Sequence, residues 1–375
     1  MDERTPAGEV LDLGVLGELD DGPDEPAPRR ALSRRGLLLG GGGVALAGLG
    51  AVAVRTAQPP PPPPPPGPVT RSRLARPVAG VPREWQLFGV GTDVVVRLDL
   101  ATSQVTRTRI PPLGSSQVFL VPGRRRLVVR PIDTPTGWLI RDDEPVAALP
   151  SSLAGVGPVL PGPDLDHVWI ETRDRGRPSM ALVNADGWGS LPLVVPVPEF
   201  ATVGPLTDGA GGLLFEGVGG LFRIDPAGHL TLSNAIVLAV GRGDLLTLAL
   251  AGGGIWRSRL QLRGGTTELL PVPIGPQLPH GVLAPDASAV VLYAVDERRR
   301  MTLTVVDLPD GGQRPVDVDI TGVAGDGTVV WSPDGGRLFC LDADGRVRVV
   351  DPASGTTVDT LDLPPVRQLA ARTDT

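Results

Sequence analysis

Lysine is absent from this 375-residue chain, so all 35 basic residues are arginine. That excludes Schiff-base catalysis and a P-loop lysine together. Cysteine occurs once, at Cys340, which excludes an internal disulfide. Its apolar run, Leu338-Phe339-Cys340-Leu341, reads as a strand with a buried structural thiol. The three histidines, His167, His229 and His280, are too far apart in sequence for any local metal-ligand spacing. Each reads as a turn or surface residue unless the fold brings distant segments to one channel. Aromatic residues make up only 3% of the chain, whereas Gly and Pro number 50 and 42. The net charge of −7 sits almost wholly in residues 1–28, where nine acids meet one base. The remaining body is close to neutral and lacks the electrostatic footprint of a nucleic-acid binder. No metal and no cofactor is expected, and no catalytic residue can be named.

What is present is a repeat. Short apolar strands end in an acidic or polar residue and run into a small turn, as in Arg348-Val349-Val350-Asp351 before Pro352-Ala353-Ser354-Gly355. The strand ends fall at Asp99, Asp142, Asn184, Asp225, Arg263, Asp307 and Asp351, at steps of roughly 38–44 residues. A period of that length made of four short strands is the signature of a β-propeller blade. Much of the Gly and Pro sits at turns between strand runs rich in Val, Leu and Thr, which is what tight antiparallel hairpins require. The spacing predicts an all-β, seven-bladed β-propeller over residues 77–375. Either of two segments can supply the inner strand of the first blade. One is Val78-Ala79-Gly80-Val81-Pro82; the other is Val366-Arg367-Gln368-Leu369-Ala370-Ala371, acting as a clasp from the far end.

The front of the chain predicts an acidic disordered tail at 1–28, a membrane or signal helix within 29–54 and a proline-rich linker at 55–76. The uncharged stretch 36–54 is long enough as a helix to cross a hydrocarbon layer of about 30 Å. Arginines cluster before it, which places the N-terminus in the cytoplasm and the propeller outside. Eight consecutive prolines at 59–66 form a stiff spacer of roughly 3.1 Å per residue, which suits a retained anchor. Ala51-Val52-Ala53 would also serve as a cleavage site, so release after export stays open.

Two family resemblances follow from these residues. Ser33-Arg34-Arg35-Gly36-Leu37-Leu38-Leu39 resembles the bacterial twin-arginine export motif, departing from it at Leu39, where a lysine often stands. It implies that Arg34 and Arg35 form the export signal. Trp331-Ser332-Pro333-Asp334-Gly335, continued by Gly345-Arg346-Val347-Arg348-Val349-Val350-Asp351, is similar to a blade of bacterial WD40 and YVTN-type propellers. The other six units resemble that family in spacing alone. No Gly-His pair opens the blades, and no Trp-Asp pair closes the third strands.

Polar clusters are few. Asp164, Asp166 and His167 form the densest one and are read as a candidate ligand loop, against the plainer reading of a solvated turn. Asp342-Ala343-Asp344-Gly345 has the start of a calcium loop but lacks its later ligands, so it reads as a hairpin turn. Arg124-Arg125-Arg126 and Arg298-Arg299-Arg300 fall at turns and read as charged loops, with anion contact as the alternative. Together these expectations describe a monomeric, membrane-tethered extracytoplasmic propeller that binds a protein or cell-envelope ligand. The alternative is an exported propeller enzyme, lactonase- or hydrolase-like, with its active site in the channel.

Overall fold

The computed structural model describes residues 69–81, 85–114, 117–134, 136–141, 144–149, 157–184, 193–199, 201–217, 220–228, 230–233, 235–241, 244–250, 256–262, 265–268, 280–295, 301–320 and 327–373. The tail, Arg34 and Arg35, the stretch 36–54 and the prolines at 59–66 lie outside them. So do His229, Asp142 and Arg263, two of which end repeat strands. No helix among the described residues is long and apolar enough to cross a membrane.

The described residues form an all-β propeller of antiparallel meanders. The first sheet holds β2 (Trp85–Val90), β3 (Val94–Asp99) and β4 (Gln104–Arg109). It is extended by β1 (Thr70–Arg73) on its outer edge and β29 (Gln368–Thr373) on its inner edge. The second has β5 (Val118–Pro122), β6 (Arg126–Pro131), β7 (Trp138–Arg141) and β8 (Ala147–Ala148). The third has β9 (Val159–Pro161), β10 (His167–Asp174), β11 (Arg177–Asn184) and β12 (Leu193–Pro196). The fourth has β13 (Ala201–Thr207), β14 (Leu213–Gly217), β15 (Gly220–Ile224) and β16 (Leu230–Ser233).

Next come β17 (Ala235–Val240), β18 (Leu245–Leu250), β19 (Trp256–Leu262) and β20 (Gly265–Glu268). They are followed by β21 (His280–Leu283), β22 (Ala289–Val295), β23 (Met301–Asp307) and β24 (Gln313–Pro315). The last sheet has β25 (Val329–Trp331), β26 (Leu338–Leu341), β27 (Val347–Asp351) and β28 (Thr356–Thr360).

The expectation of seven sheets is corrected here, because hydrogen bonding gives six. The meanders β17–β20 and β21–β24 merge into one eight-stranded sheet through parallel pairing of Ala239 with Gly281 and Val240 with Val282. One of the two pairs joins small residues, Ala239 and Gly281, and the other joins two valines. The repeat seen in the sequence counts meanders, whereas the hydrogen bonds count sheets.

The ring closes by the clasp. β29 pairs with β2 over six residue pairs, from Trp85↔Thr373 to Val90↔Gln368. Residues 78–81, the competing segment, form no strand. Ordered pairing also begins earlier than residue 77, since β1 adds to β4 from Thr70↔Arg107 to Arg73↔Gln104.

Apolar runs occupy the middle strands because these are covered on both faces by neighbouring sheets. The core is consequently a set of seams. Trp85, Leu87 and Leu98 pack on Phe339, Leu341 and Val349 where the first and last sheets meet, with the clasp residues Val366 and Leu369 between them. Trp85 and Phe339 meet edge to face, with centroids 5.1 Å apart. Two tryptophans tie seams by hydrogen bonds across sheets: Trp169 Nε1 donates to the Gly211 carbonyl (2.7 Å) and Trp331 Nε1 to that of Val282 (3.0 Å). Gly211 has no substitute there. Its φ is +88°, and a Cβ would lie 2.1 Å from the Pro163 Cα.

Candidate ligand-binding site

The first strands of successive meanders line a cavity of ≈ 620 Å³. Its wall is built from Leu206 and Thr207 of β13, Val237 to Val240 of β17, Gly281 to Leu283 of β21, Val329 to Trp331 of β25, and Leu369 and Ala371 of β29. Pro161, Gly209, Gly241, Pro285, Tyr293 and Gly327 complete it. None of these side chains is titratable near neutral pH, and among the described residues Thr207, Tyr293 and Trp331 are the only lining residues with side-chain oxygen or nitrogen. The Trp331 N–H is already committed to the Val282 carbonyl. Such a wall can shelter an apolar molecule; it places no acid–base pair beside one. In the sequence these residues look like ordinary strand interiors, and only their position as first strands of meanders could have singled them out.

Asp164, Asp166 and His167 do come together, on the turn between β9 and β10. Asp164 Oδ1 lies 2.7 Å from His167 Nδ1 and accepts the Asp166 N–H at 2.8 Å. Burial alone would raise the Asp164 pKa, but the hydrogen bonds from His167 and from the turn N–H groups outweigh it and hold the carboxyl below its usual range. Arg124 reaches across from the second sheet, its Nε 3.3 Å from Asp166 Oδ1, while its N–H donates to the Leu165 carbonyl at 2.9 Å. The His167 and Asp164 side chains are 34% and 51% exposed, so this polar knot faces solvent. It lines none of the cavities described here. His280 opens β21, where its backbone pairs with Tyr293.

The Asp342 turn is a hairpin. Its Oδ1 accepts the N–H groups of Asp344 and Arg346, each at 2.9 Å, and its Oδ2 accepts Arg348 Nε at 2.7 Å. With both oxygens engaged, nothing there invites a cation, and no cluster of potential metal ligands occurs among the described residues. Asp208 repeats the device on the β13–β14 turn. It accepts the N–H groups of Ala210 and Gly212 (2.8 Å each) and is joined by Arg223 at 2.8 Å. Cys340 is fully buried, and burial pushes its thiol pKa up to about 12, which removes it as a nucleophile.

Asp307, at the end of β23, pairs with Arg314 of β24 through two hydrogen bonds. The pair pulls the carboxyl below its ordinary 3.8, the arginine hydrogen bonds being the largest cause. A depressed carboxyl stabilises the fold above its unfolded value and loses that contribution as pH falls through the folded value. Asp307→Asn should therefore lower the urea midpoint by more at pH 7 than at about pH 3, below the ordinary carboxyl value. Parallel urea titrations at the two pH values check this; a constant difference would mean that the ionised pair is not its source.

None of the known protein-family models matches this chain, and no curated protein matches it either. Solved structures do resemble it. A functionally unknown protein from Desulfotomaculum acetoxidans DSM 771 matches with a TM-score of 0.51 at 16% identity, over 77% of this chain and 99% of that one. A candidate 6-phosphogluconolactonase from Bacteroides uniformis ATCC 8492 matches with a TM-score of 0.50 at 13% identity, over 78% and 100%. AztD from Citrobacter koseri matches with a TM-score of 0.46 at 12% identity, over 76% and 82%. At these identities the likeness concerns the fold alone. The class is a β-propeller, closed by its C-terminal strand.

Proposed function

We propose that this protein is a membrane-tethered, extracytoplasmic binding module whose ligand site is the apolar channel. The lining of that ≈ 620 Å³ cavity carries the reading, because it offers mostly apolar contact and, among the described residues, no group that titrates near neutral pH. The arginine pair Arg34 and Arg35, the uncharged stretch 36–54 and the prolines at 59–66 support export, anchoring and spacing in that order. The exported-hydrolase alternative would need an activated acid, base or nucleophile in the channel, and its described wall offers only the hydroxyls of Thr207 and Tyr293, with no His, carboxylate or thiol lining it beside them.

Full-length protein should fractionate with membranes, and added protease should reach its propeller from the outer side. Purified in detergent, it should bind an apolar fluorophore such as Nile red saturably. Val330→Asp, which puts a charge into the channel wall, should weaken that binding about tenfold or more. Turnover of lactone, ester or glycoside substrates that is abolished at Asp166, His167 or His280 would replace this reading with the enzymatic one.

A further inference from the structure

Five arginines from five strands converge on a second, much smaller cavity between the first and second sheets. Arg71 comes from β1, Arg97 from β3, Arg126 from β6, Arg141 from β7 and Arg372 from β29. The cavity measures ≈ 40 Å³. One water needs about 10–15 Å³ on that measure, so the space suits a few waters or a single tetrahedral oxyanion. Apolar walls from Phe88, Leu127 and Ile140 shield it, and the described residues that line it include no Asp or Glu.

The geometry of the guanidinium groups is set in advance. Arg372 Nη1 donates to the carbonyls of Gly123 (2.5 Å) and Arg124 (2.8 Å), and its Nη2 donates to Gln86 Oε1 at 2.6 Å. Its guanidinium carbon lies 5.4 Å from the centroid of the Phe88 ring. Arg141 Nη1 pairs with Glu144 at 2.9 Å, while its Nε is buried without a hydrogen-bond partner. Burial first, and then the like charge of Arg141, pushes the Arg126 pKa below the ordinary guanidinium value. Asp166 and Glu144 offset part of this, and arginine keeps its proton at neutral pH, so the lining itself presents positive charge and N–H donors to an anion.

We propose that this crevice is an oxyanion site that takes a phosphate group, either free or carried on a lipid headgroup. Planar guanidinium forks match phosphate oxygens in geometry and charge. The two ends of the propeller, β1 and β29, each contribute an arginine. A bound phosphate would therefore join both ends to the second sheet and favour the closed ring. Arg71 also follows the proline run 59–66 closely in sequence, which makes a headgroup a reasonable source.

The test uses full-length protein in detergent with inorganic phosphate as the probe and sodium chloride of equal ionic strength as the control. Phosphate should raise the melting temperature and give saturable heats in calorimetry. Arg97→Gln/Arg141→Gln should weaken binding at least about tenfold, whereas Arg125→Gln, outside the lining, should leave it unchanged. Arg71→Glu, on exposed β1, is the second variant should the double substitution disturb folding, and it should weaken binding too. Equal effects of phosphate and chloride, or undiminished phosphate binding in every lining variant, would overturn the proposal. In a second arm, phosphatidylglycerol vesicles compete with phosphate. Vesicle displacement that is lost in Arg71→Glu assigns the site to a headgroup, and phosphate binding without displacement assigns it to the free ion.

Discussion

Removing residues 366–375 should leave a chain that aggregates instead of folding into a monomeric propeller. The deletion strips β2 of its inner partner along the whole length of their pairing and leaves a hydrogen-bonding edge open. It also takes Val366 and Leu369, buried at 3% and 2% exposure, out of the seam between the first and last sheets. Each such side chain contributes about 1.5–3 kcal/mol by burial, against a typical net stability of about 5–15 kcal/mol. Backbone contacts to both neighbours go as well: Leu369 N–H to Gly327 O (2.7 Å), Val366 N–H to Gly345 O (2.8 Å) and Arg367 N–H to Val90 O (2.7 Å). Size-exclusion chromatography and urea unfolding of the truncated chain are the measurements. A monodisperse product with an unshifted midpoint would show that closure does not depend on β29.

The clasp marks a boundary in what the sequence discloses. The third strands were legible because each pairs an apolar run with a polar end and a short turn, which bears Gly or Pro after β15, β23 and β27. β3, β15, β23 and β27 stand where that pattern predicts them. Closure was not legible, since residues 78–82 and 366–371 both carry short segments able to serve as an inner strand and only the fold chooses between them. The fusion of two meanders was also hidden. It depends on Ala239 and Val240 lying beside Gly281 and Val282, although the two pairs are far apart in sequence. The candidate site divides in the same way. The knot of Asp164, Asp166 and His167 is local and could be read from spacing, whereas the channel wall and the arginine crevice each draw on several sheets. Arg126 reads as one of three turn arginines until Arg97, Arg141 and Arg372 are brought beside it.

Arg130 was equally hidden, because its strand reads Leu127-Val128-Val129-Arg130 and an arginine after apolar residues usually marks an emerging edge. Here it is fully buried, opposite Phe119 of β5, and Nε, Nη1 and Nη2 all lack a hydrogen-bond partner. Burial lowers its pKa, and Glu171 on β10 is the charge that counters this. Glu171 is itself raised by burial, with Arg130 and Arg173 pulling the other way. Gly157, at φ +129°, leaves room for that carboxylate, since a Cβ there would sit 1.8 Å from Glu171 Oε2. Desolvating two charges costs more than their attraction returns unless hydrogen bonds complete the geometry, and none does so here. Arg130→Met/Glu171→Gln should therefore be more stable than the unsubstituted protein by about 1–4 kcal/mol at pH 7. Glu171→Gln alone should destabilise, because it leaves the buried guanidinium without its countercharge. Arg130→Met alone should gain less than the double variant at pH 7. A carboxyl with a raised folded pKa opposes folding once ionised, so that single variant should recover stability as pH falls toward the ordinary 4.5 of Glu171. Urea midpoints of the three variants at pH 7 and about pH 5 decide the matter. If Arg130→Met loses stability in both backgrounds, the guanidinium is held by internal water and stabilises the seam between the second and third sheets.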